Sequence, residues 1–468
     1  MVFPTRRKTR GHGGGMRGSG RFLAAATALA VGFSSAASAA EDAENEPSVL
    51  DSVPALSVLK QARDALAEKG FRFSGFYFAD PRANLDGGMR EGTTYSGLFS
   101  LALDVDGEKV FGIEGGQLHA SMFQIHGRDL SDDYIGNVMS VNDIGARPTT
   151  RLFELYWTQE IDERLSLRVG QMAADEEFIK SGYSEDMFIG ATLGWAAPPS
   201  ENLPQGGPAY PFASLGAQVT FKASEALTLV GAIYNGASAS PRAADPEKSN
   251  RYGLNFRLED PPLVILEGRY AFEGLGGLPG MLKLGGYGHF GRFDDLKYGT
   301  DGLVLGSPGS NDDPRRRRGN VNLYAVLDQQ IWRAPGDDPE AGVGVFARVI
   351  AGRPDRNAIN FYVDGGVVAT GLVPGRPDDK FGVAAAYADF SPRLADADRA
   401  GNAAAGISGA VHTFEGIIEA TYKAQVVPGF TVQPTFQYVI RPGGGPPEDG
   451  GARIPNAKVF GVTSIVTF

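Results

Sequence analysis

The chain has 468 residues, no Cys, 42% hydrophobic residues and a formal charge of -11. So acidic a chain lacks the basic surface that nucleic acid requires, and without Cys it has neither a disulfide framework nor thiolate chemistry. The 64 Gly and 29 Pro are spread along the chain rather than gathered in tracts, which excludes collagen and leaves either two or three soluble domains or one large closed sheet.

Residues 1–40 read as a cleaved export signal. Arg6, Arg7, Lys8, Arg10, Arg17 and Arg21 precede the apolar run "FLAAATALAVGF", and "SSAASAA" supplies small residues for cleavage after Ala39 or Ala40. The apolar run is too short for a membrane span of about twenty residues. Met16 is a second candidate start. Losing the six cations takes the formal charge from -11 to -17. No later segment is long and apolar enough for a transmembrane helix.

Residues 41–70 form a periplasmic segment with one expected helix, "SVPALSVLKQARDALAEKG" (52–70). Leu56, Leu59, Ala62 and Leu66 share a face, Ser52 is the expected N-cap, and Gly70 ends it.

From residue 71 to 468 the sequence is strand after strand, each about ten residues long. "LFELYWTQEIDERLSLRVGQM" (152–172) is typical. Phe153, Leu155 and Trp157 alternate with Glu154, Tyr156, Thr158 and Glu160; Leu165, Leu167 and Val169 alternate with Arg164, Ser166 and Arg168. Connections alternate in length: "GEKVFG", "DER", "SEA" and "VPG" are short, while 173–213, 294–319, 391–411 and 441–455 are long. A soluble sandwich has no reason for this rhythm, whereas an outer-membrane barrel has short periplasmic turns and long external loops. Acids and bases on the polar face of many strands suit a water-filled lumen, with Phe153, Leu155 and Trp157 toward lipid. About seventeen strand-like runs are present, and an even number is needed. Assigning 250–259 to an external loop or strand extension leaves sixteen. The expected fold is therefore all-β: a transmembrane antiparallel β-barrel of sixteen strands over 71–468, with a short N-terminal periplasmic helix.

No catalytic or metal constellation stands out. The five His residues share no ligand spacing, and Ser121 with His119 is an ordinary same-face pair in a strand. No enzyme activity, metal or cofactor is expected. The charged rows carry more. Glu154, Glu160, Arg164 and Arg168 on one hairpin, Glu267 with Arg269, and Glu415, Glu419 and Lys423 are candidate pore-lining residues, because ladders of charge set pore selectivity. The same rows could simply solvate the lumen wall. The 41-residue connection 173–213 holds Phe178, Tyr183, Phe188, Trp195 and Tyr210, too aromatic for disorder, and is expected to be a packed loop with about half of it folded into the barrel mouth. Its Asp175, Glu176 and Glu177 line either a constriction or the rim. "PRRRRGN" (314–320) ends another external loop and is either a solvated basic run or a contact for lipopolysaccharide phosphate or anionic solutes.

Several stretches together resemble the OprB-type carbohydrate-selective porins: "LAEKGFRFSGFY" (66–77), "ELYWTQEIDERLSLRVGQMAADEEF" (154–178), "YPFASLGAQV" (210–219), "YNGASASP" (234–241), "GLPGMLKLGGYGHFGRFDD" (277–295), "RGNVNLYAVLDQQIWR" (318–333), "EATYKAQVVPGFTVQPTFQYVIRPGG" (419–444) and "NAKVFGVTSIVTF" (456–468). The resemblance implies a sixteen-stranded outer-membrane porin that passes glucose and related sugars by diffusion, with charged and aromatic residues at a constriction. The expected partners are small sugars as solute, with outer-membrane lipid and lipopolysaccharide around the barrel. Monomer and homotrimer are both compatible with the sequence. A general or ion-preferring porin is the alternative within transport, and a barrel enzyme or a plugged structural barrel lies outside it.

Overall fold

The computed structural model describes residues 48–336, 338–446 and 452–468. The expected signal, 1–40, and the start of the 41–70 segment lie outside the described residues. Sixteen strands close into one antiparallel barrel. They are β1 (Phe71–Asp86), β2 (Gly92–Asp106), β3 (Gly116–Gly127), β4 (Thr149–Glu160), β5 (Leu165–Met172), β6 (Ser214–Lys222), β7 (Leu227–Tyr234), β8 (Leu263–Glu273), β9 (Pro279–Gly299), β10 (Pro314–Arg333), β11 (Gly342–Gly352), β12 (Ile359–Thr370), β13 (Lys380–Phe390), β14 (Phe414–Val427), β15 (Phe430–Ile440) and β16 (Ala457–Thr467). Each pairs with the next, and β1 pairs with β16 to close the ring. At the seam, Gly75 and Phe468 exchange both backbone hydrogen bonds, at 3.0 and 2.9 Å, and the Phe468 ring stacks on Phe99 at 5.8 Å.

The alternation expected from the sequence sets the two faces of the wall. On β10, Asn320, Asn322, Tyr324, Val326 and Asp328 are buried inward, while Val321, Leu323, Leu327 and Ile331 are exposed on the outside. From Val321 to Ile331 the chain rises about 33 Å at ~3.3 Å per residue; a strand tilt of about 40° turns this into the ~25 Å apolar band of an outer-membrane barrel.

Three local expectations change. The helix over 52–70 is interrupted: Val49–Ser52 forms one turn capped by Ser48, Pro54–Leu56 a 3-10 turn, and α1 (Ser57–Ala67) the helix proper. Pro54 has no N–H to continue a helix, and the Ser52 hydroxyl donates to the Pro428 carbonyl at 2.8 Å instead of capping. Phe153 faces inward. Between Leu152 and Leu155 of β4 two residues oppose the single Ser121 of β3, a β-bulge, so Phe153 and Glu154 both point into the barrel, and Phe153 packs on Phe123 at 4.5 Å. Leu155 stays exposed outside. Finally, β9 and β10 extend well into the connection expected over 294–319. Residues 250–259 add no strand; they run as an extended strap, bonded to Leu152 of β4 through the Tyr252 carbonyl and to Asn235, after β7, through Asp260.

The outward phase of β10 gives a direct check. Leu327→Arg, near the middle of the apolar band, is expected to destabilise the barrel by about 2–4 kcal/mol in reversible unfolding from lipid vesicles. An unchanged unfolding midpoint would place Leu327 away from lipid.

Candidate functional site

Two external connections fold into the lumen, residues 128–148 and 173–213, and their partners lie on strands around most of the ring. Leu130, Ile135, Met139, Val141, Phe178, Ile179, Leu193 and Leu203 are buried inside the ring. All but Leu193 pack against inward apolar residues of the wall, among them Tyr287, Tyr324, Ile350, Tyr362, Ile417 and Val439, while Leu193 packs with Phe346, Val368 and Ala384. Ile417, which breaks the polar phase of β14, is one of these packing positions.

The buried charges of the wall bind the backbone of these loops. Glu154 accepts the Ala173 N–H at 2.9 Å, and Glu267 accepts the Ile179 N–H at 3.1 Å. Glu419 takes the N–H groups of Ile189 and Gly190 at 2.8 and 2.9 Å, one per oxygen. A Cβ on Gly190 would lie 2.9 Å from the Glu419 carboxylate, which would have to shift to make room for it. Glu415 accepts from Val138 and Met139 at 2.9 and 2.6 Å. Asp328 accepts from the Ser181 hydroxyl at 2.5 Å. Cations serve the carbonyls. Arg348, paired with Asp364 at 2.6 Å, donates to the carbonyl oxygens of Ile179, Thr192, Leu193 and Gly194. Arg269 bridges Glu267 and Glu177 and donates to the Glu177 carbonyl at 2.7 Å. Lys283 donates to the Lys180 carbonyl at 2.8 Å. Loop backbone at membrane depth survives only where protein satisfies it, and here the carboxyl, guanidinium and ammonium groups of the wall do so.

The candidate residues therefore fall into groups. Glu154, Glu267, Arg269, Glu415 and Glu419 are covered by the inward loops. Arg168 remains partly open to the lumen, with its guanidinium 4.5 Å over the Tyr156 ring and 3.4 Å from Glu177. Lys423 is also partly open and reaches Asp186 of the 173–213 loop at 2.9 Å, a carboxylate that it shares with Lys380. Glu160 is half-buried near the end of β4. Arg164 is exposed in the turn before β5, where its N–H is held by Asp162 at 2.8 Å, and so lies off the strand. Of the loop acids, Asp175 accepts the Tyr210 N–H at 2.7 Å, Glu177 is bound by Arg269 and Arg168, and the Glu176 side chain is 53% exposed.

The pattern of charge did not reveal His119 or Asp104. The pairing of β2, β3 and β4 puts Asp104, His119 and Tyr156 in one transverse row. His119 stacks on Tyr156 at 4.8 Å and hydrogen-bonds Asp104 at 2.9 Å, and its other ring nitrogen lies 3.9 Å from Glu154. Their positions two apart from other inward residues were readable; the row needed the register.

The model of carbohydrate-selective porins, OprB family, matches residues 90–468. The chain belongs to this family. It is 27% identical over 420 residues to Porin B of Pseudomonas aeruginosa, covering 86% of this chain and 88% of that protein. The high-pH structure of Pseudomonas putida OprB superposes with a TM-score of 0.75 at 22% identity, covering 87% of this chain and 96% of that one; the low-pH structure gives 0.53 at 18% identity, covering 88% and 96%. As an OprB-family member the chain is an outer-membrane porin for carbohydrates, and its barrel is the fold of the Pseudomonas putida protein.

Glu419→Ala leaves two buried N–H groups without partners, at about 1–3 kcal/mol each. The expected result is a folded barrel with higher single-channel conductance and a 173–213 loop open to protease. Unchanged conductance and protection would show that the carboxylate is dispensable for holding the loop.

Proposed function

We propose that sugars cross through the gap left between the inward loops and the wall, and that the row Asp104, His119, Tyr156 and Arg168, facing Glu176, gives the preference for carbohydrate. The observation that carries this reading is the arrangement around Tyr156. Its ring holds the Arg168 guanidinium and the His119 imidazole in fixed orientations, with carboxylates close by. Arg168 can donate to sugar hydroxyls, while Asp104 and Glu176 can accept from them. A hydroxyl does both, so a polyhydroxylated solute can match such a row at each step and still leave, because no single contact is strong.

The charge balance supports a neutral solute. Around the gap, Arg168 is paired with Glu177, Lys180 with Glu185, and Lys380 and Lys423 with Asp186. Paired charges keep their hydrogen-bonding geometry while largely cancelling the field that would sort ions. Glu160 and Arg164, nearer the short turns, would belong to the periplasmic exit of the same path. Transport on this reading is passive, with no chemical step.

Single-channel current in a planar bilayer, titrated with glucose, sucrose and a size-matched non-sugar, tests the proposal. Block by the sugars alone is expected, with Arg168→Ala weakening it about tenfold through loss of charge-assisted hydrogen bonds. Equal block by the non-sugar, or full block in the Arg168 variant, would remove the row from selectivity.

A further inference from the structure

The basic run at the start of β10 is not used by the pore. Its placement depends on Gly319, whose φ of +71° makes a bulge between Arg318 and Asn320. Below the bulge the odd residues Val321 and Leu323 face outward; above it the phase reverses, and Arg316 and Arg318 face outward instead. Arg317 turns inward to Asp295 at 2.6 Å. On β9, Phe290 and Arg292 share the outward face. Arg318 stands directly opposite Arg292 in the ladder. Like charges at paired positions repel, and among the described residues neither side chain has a carboxylate partner. Arg316 has one, Asp294 at 3.1 Å.

These arginines lie at a boundary. Phe290 and Val321, exposed at 56% and 57%, are the last apolar residues of their columns on the external side, and Leu323 below them is 66% exposed. Arg292 is two residues beyond Phe290, about 7 Å along the strand. A cleft of about 490 Å³ opens here; Arg292, Arg316, Arg318 and Phe290 line its outer side, and Pro204, Ala237 and His289 its inner end. The nearest acid in its lining, Asp260, is already bound by Arg257 at 2.9 Å.

We infer that this cleft binds the phosphorylated headgroup of an outer-leaflet glycolipid, with Arg292, Arg316 and Arg318 on the phosphate and the acyl chains lying on Phe290, Val321 and Leu323. A lipid is favoured over a free anion because the cations face away from the lumen and sit where the apolar band ends. There a headgroup phosphate is brought to the same height as the guanidinium groups by the burial of its own chains. Two unpaired arginines repelling each other across one ladder rung are a cost that a shared phosphate removes, through charge-assisted and bidentate hydrogen bonds. The site is separate from the sugar path and stands whether or not the row at Tyr156 sets selectivity.

The folded full-length mature barrel in detergent, mixed with diphosphoryl lipid A and examined by native mass spectrometry, provides the test. Retention of lipid A is expected, with about a tenfold loss or more in R292Q/R316Q/R318Q and no loss in R128Q, an exposed cation just after β3. Dephosphorylated lipid A is expected to bind the unmodified barrel as weakly as the triple variant binds the phosphorylated lipid. R292Q/R318Q, which only removes a repulsive pair, guards against a folding defect and should give an intermediate loss with normal heat-modifiable mobility and unchanged conductance. Equal retention by the triple variant, or equal binding of dephosphorylated lipid A, would overturn the assignment. Complete displacement by millimolar inorganic phosphate would overturn it in favour of a free-anion site.

Discussion

The structure depends on buried carboxylates and guanidinium groups on the lumen wall that bind the backbone of two inward loops. A barrel this wide, closed by sixteen strands, would otherwise leave an aqueous channel whose size alone decides what passes. Filling it with chain brings N–H and C=O groups to membrane depth with no strand partner. Glu154, Glu267, Glu415 and Glu419 supply acceptors, and Arg269, Lys283 and Arg348 supply donors. The burial cost of each charged or polar group is offset by the hydrogen bonds it makes to main chain.

This arrangement divides charge into two jobs on the same wall. Fully covered ions hold the loops, while partly open ones, Arg168, Lys380 and Lys423, border the remaining gap with their loop partners. The narrowing is therefore a fixed surface rather than a ring of free side chains. The side chains along it are already oriented by stacking and pairing, so they have little conformational entropy left to lose.

Strand periodicity carried most of the architecture. In β10 after Gly319, and in β14 apart from Ile417, the two-residue alternation separates lumen from lipid, and the short–long rhythm of connections orients the barrel. The exceptions have local causes. Phe153 was read as lipid-facing because its phase matches Leu155; only the pairing with β3 reveals the bulge between them. Ile417 looked like a flaw in an amphipathic strand, whereas it packs on loop residues far away in sequence. Glu419 looked like a pore-lining charge, since a carboxylate that meets solute and one that meets a loop N–H have the same sequence signature. His119 and Asp104 belong to a row defined across strands, which no single-strand pattern contains.

The partners of the 173–213 loop also bear on the order of events during assembly. Gly190 is bonded to Glu419, which lies 229 residues further along the chain, while Ala173 is bonded to Glu154, only 19 residues away. One end of the loop can dock as soon as its own hairpin forms. The other end must wait until β14 is in place, close to ring closure, because closing so long a loop has no reward until its partner arrives. The final bore of the channel is therefore set late in assembly, by a strand near the end of the chain.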